Sequence, residues 1–355
     1  MVKNRVLAAR DMLDKQGLDA LLFTDLFNIR YLSGFTGTDA ALLLTPSEVW
    51  FLTDSRYTAQ AQKETGLPVR THQVKSAGII DLTRELSLQR VGFESNNISF
   101  AFHSELHQAQ PQVIWVPVAE TSRLRQCKDI VEQGCIAQAA EFNAAAVAAI
   151  MPVLVPGARE CDIALALEIA LRQQGGEEKG FDFIVASGER GALPHGVASQ
   201  RRICTGELVT LDFGTRFQGY YSDETVTFAV GQVSDLLRRL HAIVLEAHDM
   251  AIAAVSPGRP LSTIDAVARN HITAQGYGDF FGHGLGHGVG LEVHEWPRLS
   301  PRAQGNAEVG MVFTIEPGIY LPDIGGVRIE DIVAVTDDGC RVLTRVPKSF
   351  TVLPN

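Results

Sequence analysis

The sequence predicts two domains in series, a small α/β domain over residues 1–125 and a larger α+β domain over residues 126–355. Three observations carry this. Short apolar strands alternate with helical segments over the first third; after SRLRQCKD the texture changes to a long alanine-rich helical pattern; and from about residue 180 the chain is mostly strand-like, with helices between. At 355 residues there is ample chain to bury a core in each domain.

In chain order, RVLAARDMLDKQG reads as a helix and DALLFT at 19–24 as a strand, followed by strands AALLLT at 40–45 and VWFLTD at 49–54. The segments after Tyr57 and Ile80 read as helices, and VGFES at 91–95 and VIWVPV at 113–118 as strands. Beyond the boundary, residues 128–150 and CDIALALEIALRQQGG read as helices. DFIVASG, ELVTLDFG and YYSDETVTFAV are strand candidates; two helical segments follow, then strands in MVFTIEPG and VRIEDIVAV.

Composition removes several function classes. Apolar residues make up 46% and charged residues 20%, the balance of a globular chain. A formal charge of -10 with no basic cluster argues against a nucleic-acid partner. The opening MVKNRVLAARDMLDKQG lacks the apolar block of a secretory leader. The longest apolar run, AAAVAAIMPVLVP at 144–156, is shorter than a bilayer span requires, so no membrane partner is expected. Five cysteines (Cys127, Cys135, Cys161, Cys204, Cys340), odd in number and without a CxxC pair, fit reduced thiols in a cytoplasmic protein.

Two hairpin-like segments carry the chemistry. In ELVTLDFGTRFQGYYSDETVTF, Asp212 and Asp223 lie one on each strand candidate, where pairing would set them side by side. In MVFTIEPGIYLPDIGGVRIEDIV the layout recurs, with Glu316 on the first strand and Glu330 on the second. Any one of these acids could alternate outward to solvent. Four in two matching segments, with the histidine-rich GHGLGHGVGLEVHE between them, point instead to convergence. Converging carboxylates with no counter-charge repel one another and take up protons. Two divalent cations supply the missing charge, and four carboxylates with one neutral imidazole suit a pair of Mn, Co or Zn ions about 3.5–4 Å apart. A phosphate cradle is the rival use of the glycines. No Lys-Ser/Thr follows them, however, and no acidic ribose reader stands at the required interval.

The motifs D-F-G at 212, S-D-x-T at 222, G-H-G-L-G-H-G-V-G-L-E-V-H-E at 282, T-I-E-P-G-I-Y at 314 and G-G-V-R-I-E-D at 325 resemble those of the pita-bread metallopeptidases, in their Xaa-Pro branch of prolidase and aminopeptidase P. The likeness covers residues 130–350, and NIRYLSGFTG and DSRY extend it more weakly into the first third. It implies a pita-bread (creatinase/aminopeptidase-like) domain preceded by the smaller α/β domain. It implies that Asp212, Asp223, His287, Glu316 and Glu330 are metal ligands, Asp223 and Glu330 bridging both ions, Asp212 holding one and His287 with Glu316 the other. Two divalent ions per subunit follow, with Mn first and Co or Zn as alternatives.

By the same resemblance His195 and His294 match substrate-contacting histidines, His283 lines the pocket, and Arg328 is a substrate contact or a support for Glu330. Glu316, His195 and His294 would carry catalysis, Glu316 moving the proton. The implied substrates are small peptides with proline second, and the implied assembly is a homodimer. The implied reaction is Xaa-Pro dipeptide hydrolysis, with aminopeptidase P action on longer peptides as the alternative and a catalytically inactive binding module as a remote one. Methionine aminopeptidase typically lacks the preceding domain, and creatinase lacks the ligands. One position departs from the pattern: the family usually reads S-D-x-T-R-T, and SDETVT puts Val226 where arginine is common. The resemblance places that side chain close to the site, where its loss would alter charge balance or substrate preference.

Overall fold

The protein is described here from a computed structural model covering residues 2–353. The chain falls into two compact units, Met1–Arg125 and Gln126–Asn355.

The first unit is a six-stranded sheet of β1 (Ala20–Phe23), β2 (Ala41–Leu44), β3 (Val49–Asp54), β4 (Val69–His72), β5 (Arg90–Glu94) and β6 (Ile114–Val118), in the order β4-β3-β2-β1-β5-β6. Its helices are α1 (Val2–Lys15), α2 (Leu26–Ser33), α3 (Thr58–Thr65), α4 (Lys75–Glu85) and α5 (Phe100–Ala109). Strands β1 and β2 are buried at every position, which is why ALLF and ALLL read as unbroken apolar runs. Apolar runs do not reveal β4: VRTH has none and lies partly exposed at the sheet edge. The short helices α2 and α5 escape the same reading; their local marks are the Asp25 and Ser99 side chains, which accept from Phe27 N and Phe102 N.

In the second unit the chain runs through α6 (Ile130–Ile150), α7 (Glu160–Gln174), β7 (Ile184–Ser187), β8 (Glu207–Phe213), a small hairpin of β9 (Arg216–Phe217) and β10 (Tyr220–Tyr221), and β11 (Glu224–Val230). The layout then repeats. Helices α8 (Asp235–Ala253) and α9 (Leu261–Ala274) lead into β12 (Gly286–Gly288), β13 (Glu295–Leu299), β14 (Val312–Ile315), a hairpin of β15 (Gly318–Leu321) and β16 (Gly325–Arg328), and β17 (Asp331–Val335). Strands β18 (Cys340–Val342) and β19 (Val352–Leu353) follow.

Two sheets result, β19-β11-β8-β7 and β13-β12-β14-β17-β18, each covered by one helix pair. Apolar residues of α8 recur at helical spacing (Leu237, Leu240, Val244, Ala247, Ala251) and pack with Ile264, Ala268 and Ile272 of α9 against Phe313, Ile315 and Val333. Ala146, Val147 and Ile150 of α6 and Ile163 and Leu167 of α7 cover Val209, Leu211, Val226 and Phe228.

The membrane expectation needs one correction. Helix α6 and the turn after it form a continuous segment of 24 residues, Ile130–Val153, within which an 18-residue stretch reaches a mean hydropathy of 1.4, so by length and composition it could cross a bilayer. Counting the apolar run from 144 misses the helix's first fourteen residues. A core helix meets the same two criteria, and this one buries Ile136, Ala139, Ala140 and Val147 while an Asp129–Glu132 capping box closes its start.

Candidate metal centre

The four acids occupy matching places in the two halves. Asp212 lies one residue from the end of β8 and Glu316 just past the end of β14; Asp223 immediately precedes β11 and Glu330 immediately precedes β17. Strands β8 and β11 pair antiparallel, as do β14 and β17. Two details differ from the sequence reading. The residue paired with Asp212 is Thr225, not Asp223, because the β9–β10 hairpin sets a different register. Glu316 and Glu330 lie at strand ends rather than within strands, and the Pro- and Gly-rich link between them is itself the β15–β16 hairpin.

Strand β12 delivers the imidazole. His287 sits in β12, which is paired on one side with β13, through a register shift at His287/Gly288, and on the other with β14. A Cβ on Gly286 would overlap the Thr314 carbonyl oxygen, and one on Gly288 the Trp296 carbonyl oxygen. Glycine at these positions therefore lets three backbones approach closely behind the site.

The predicted ligands converge. Atoms of Asp223, His287 and Glu330 lie within 4.8 Å of one another. His287 Nε2 is 3.6 Å from Asp223 Oδ2 and 3.4 Å from Glu316 Oε1. Its Nδ1 lies 3.1 Å from the Gly288 carbonyl, which favours the tautomer leaving Nε2 bare toward the acids. Burial, helped by the charge of His294, pushes the His287 imidazole down to about 3, so it stays neutral. Asp212 turns one oxygen to Arg328 at 2.5 Å, while its other oxygen is buried with no hydrogen-bond partner among the described residues.

Such a cluster takes up either protons or cations. Burial first, then Glu330, Asp212 and Glu316, holds the Asp223 carboxyl well above its usual range. Burial followed by Glu316 and Asp212 does the same for Glu330, and burial pushes Glu316 up to about 8. An orphaned carboxylate oxygen, a bare imidazole nitrogen and carboxyls reluctant to ionise together are the donor set of a divalent-cation site.

Supporting side chains complete the geometry. Thr225 Oγ1 donates to Glu330 at 2.7 Å and Thr314 Oγ1 to Glu316 at 3.2 Å. Arg328 is buried and donates from all three nitrogens: Nε to Thr225, one terminal nitrogen to Pro194 O and Tyr320, the other to Asp212. These bonds fit the expectation of a support beside Glu330, the other half of the sequence reading being a substrate contact. His283 Nε2 lies 2.9 Å from the Tyr320 hydroxyl, and burial pushes its imidazole down to about 4. The His294 ring lies 4.2 Å from that of His287, tilted at 56° to it, and stays open to solvent. His195 is exposed, on the loop after β7, close enough that its charge lowers both His283 and His294.

Val226 is not near the site. Along β11 the odd positions Asp223, Thr225 and Thr227 share the face that meets Glu330 and Arg328. Val226 points the other way, into the core under α6 and α7. Thr225, Thr314 and Tyr320 are letters of the quoted motifs, but the sequence reading gives none of them a role. The two threonines stand two residues from Asp223 and Glu316, the period-2 spacing that would have marked them.

Fold and site together define a metal-dependent hydrolase. The family model for metallopeptidase family M24 matches residues 134–337, and that for the creatinase/prolidase N-terminal domain matches residues 5–127. The chain belongs to metallopeptidase family M24. It is 37% identical to a protein named Xaa-Pro dipeptidase from Pyrococcus horikoshii, over 96% of each chain. A structure titled Xaa-Pro dipeptidase from Bacillus anthracis matches with a TM-score of 0.97 and 39% identity, covering 99% of this chain and 100% of that one. A structure titled X-Pro aminopeptidase from Thermotoga maritima matches with a TM-score of 0.87 and 37% identity, over 95% and 98% of the two chains.

Proposed function

We propose that the protein is an Xaa-Pro dipeptidase in which Asp212, Asp223, His287, Glu316 and Glu330 would hold two divalent cations. The observation that carries this reading is the convergence of neutral His287 with Asp223, Glu316 and Glu330, in a chain whose whole length matches the Bacillus anthracis Xaa-Pro dipeptidase. Manganese is the metal we favour, with cobalt or zinc able to replace it.

When bound, the cations would lower the pKa of a water and polarise the scissile carbonyl. The chain's own groups do the rest. Glu316 Oε1, oriented by Thr314, accepts the proton released by the attacking water and returns it to the departing proline nitrogen. His294 and His195, both open to solvent beside the cluster, donate hydrogen bonds to the substrate carbonyl or the proline carboxylate. Arg328 and Tyr320 hold Asp212 and His283 in place. The odd number of cysteines, scattered without a CxxC pair, supports a cytoplasmic location, and a homodimer is the assembly we infer.

The Thermotoga maritima structure favours a second reading, Xaa-Pro aminopeptidase. The deciding experiment compares an Xaa-Pro dipeptide with the same sequence extended by several residues, using metal-stripped protein given back Mn, Co or Zn in turn. Cleavage of the dipeptide alone is expected. Cleavage of the longer peptide would move the assignment to aminopeptidase P, and cleavage of neither would end both readings.

A further inference from the structure

Each strand that begins just after a proposed ligand carboxylate opens with another acid facing the other way. Glu224 follows Asp223 at the start of β11, and Asp331 follows Glu330 at the start of β17. These residues occupy equivalent positions in the two halves, and their side chains leave the site for the interior behind it. Both meet the same lysine. Lys348 Nζ lies 2.6 Å from Glu224 Oε1 and 3.2 Å from Asp331 Oδ1, with side-chain exposures of 8%, 0% and 10% for the lysine and the two acids.

The lysine belongs to a segment that crosses from one sheet to the other. Strand β18 pairs with β17, Leu343 N donates to Ile332 O, and Thr344 Oγ1 donates to Asp331 Oδ1. Val346 N then donates to Glu224 Oε1, and β19 pairs with β11. Asn143 of α6 reaches Glu224 Oε2, and His248 of α8 lies 3.2 Å from Asp331 Oδ2. A backbone bond from Glu330 N to Thr225 O ties the start of β17 to β11 on the side facing the site. Among the described residues the lysine is the one group that meets both acids: without it Glu224 loses its cation, and Asp331 keeps only His248 and the Thr344 hydroxyl.

We propose that Lys348 is a positioning residue of the metal centre: by holding Glu224 and Asp331 together, it sets the separation of Asp223 and Glu330 and thereby the affinity for the ions. The proposal rests on the ligand assignment made above. A purely structural ion pair would stabilise the fold and leave metal affinity unchanged.

The test titrates Co2+ into metal-stripped protein, by calorimetry and by the visible absorption of the bound ion, for wild type, the double variant Glu224→Gln/Lys348→Met, Asp331→Asn and Arg345→Ala. The double variant removes both members of a buried pair, so no charge is left alone, and Asp331 keeps Thr344 and His248. With circular dichroism like wild type, it is expected to bind Co2+ roughly 10–100-fold more weakly and with an altered visible spectrum. Wild-type affinity and spectrum in the folded double variant would overturn the proposal. Should that variant not fold, Asp331→Asn decides, since it removes the charge of one of the two acids that the lysine draws together and leaves Lys348 paired with Glu224: weaker binding supports the proposal and unchanged binding overturns it. Arg345→Ala, which loses an exposed pair with Glu141, is expected to bind as wild type; an equal loss there would make the effect generic and overturn the proposal too. Wild type that takes up no Co2+ would sink the ligand assignment and this inference together, whereas binding by wild type with unchanged variants sinks the inference alone.

Discussion

Glu316 carries more of the proposed chemistry than any other side chain, and its protonation has consequences that can be measured. Glu316→Ala is expected to abolish hydrolysis while leaving the circular dichroism unchanged; near-normal turnover would refute its role. Its folded value of about 8 lies above its ordinary 4.5, so the folded metal-free protein keeps a proton that the unfolded chain gives up. That stabilising contribution is complete below 4.5 and is lost as pH rises through about 8. His287 works in the opposite direction: with a folded value of about 3 against 6.5, the fold refuses a proton that the unfolded chain accepts, so stability falls as pH drops below 6.5. Cations entering the cluster take the place of the carboxyl protons. Metal uptake at pH 7 should therefore release protons, with affinity climbing as pH approaches 8, and calorimetry in buffers of different ionisation heat reads the release directly. Uptake at pH 7 without proton release would contradict this account.

Strands explain why some of the site can be read from the sequence and some cannot. The four acids and His287 are legible because carboxylates beside apolar strand residues, and imidazole among alternating glycines, are rare patterns with few uses. The partner of Asp212 is not legible, since the β9–β10 hairpin decides the register and a two-residue change there would replace Thr225 with another residue. Val226 is a case where motif comparison misleads and alternation succeeds, because every second side chain of β11 must face the core. Val226→Arg would bury a guanidinium among Leu211, Phe228 and Ile163, with an expected loss of about 3 kcal/mol or more in urea unfolding. Wild-type stability with altered substrate preference would return that position to the site. Gly286→Ala, forced against the Thr314 carbonyl, is expected to lose about 1–3 kcal/mol and weaken metal binding; a variant unchanged in both would remove the close-packing explanation for the glycines.

Across the whole molecule, the boundary near residue 125 shows in the sequence as a change of texture, and the second unit's two-part layout as recurring acid-bearing hairpins. Lys348 could not have been picked out: a lone lysine in VPKSF looks like any surface lysine until the chain crosses between the sheets. Because all five proposed donors belong to the second unit, chelation should lower that unit's melting transition and leave the first unit's unchanged. At a metal concentration a hundredfold above Kd, binding adds about 2.7 kcal/mol per site. A metal-dependent shift in the first transition would speak against the separation. Sedimentation at micromolar concentration checks the inferred homodimer, and a monomer would refute it. The repeated layout of helix pair, strand, small hairpin and strand also fixes which part of the chain supplies each donor. Each half contributes one acid near the end of the strand before its small hairpin and one immediately before the strand after it, while the histidine comes from the second half alone. The proposed donor set is therefore divided across the seam, and a change that slides one half against the other would part it without touching a single donor.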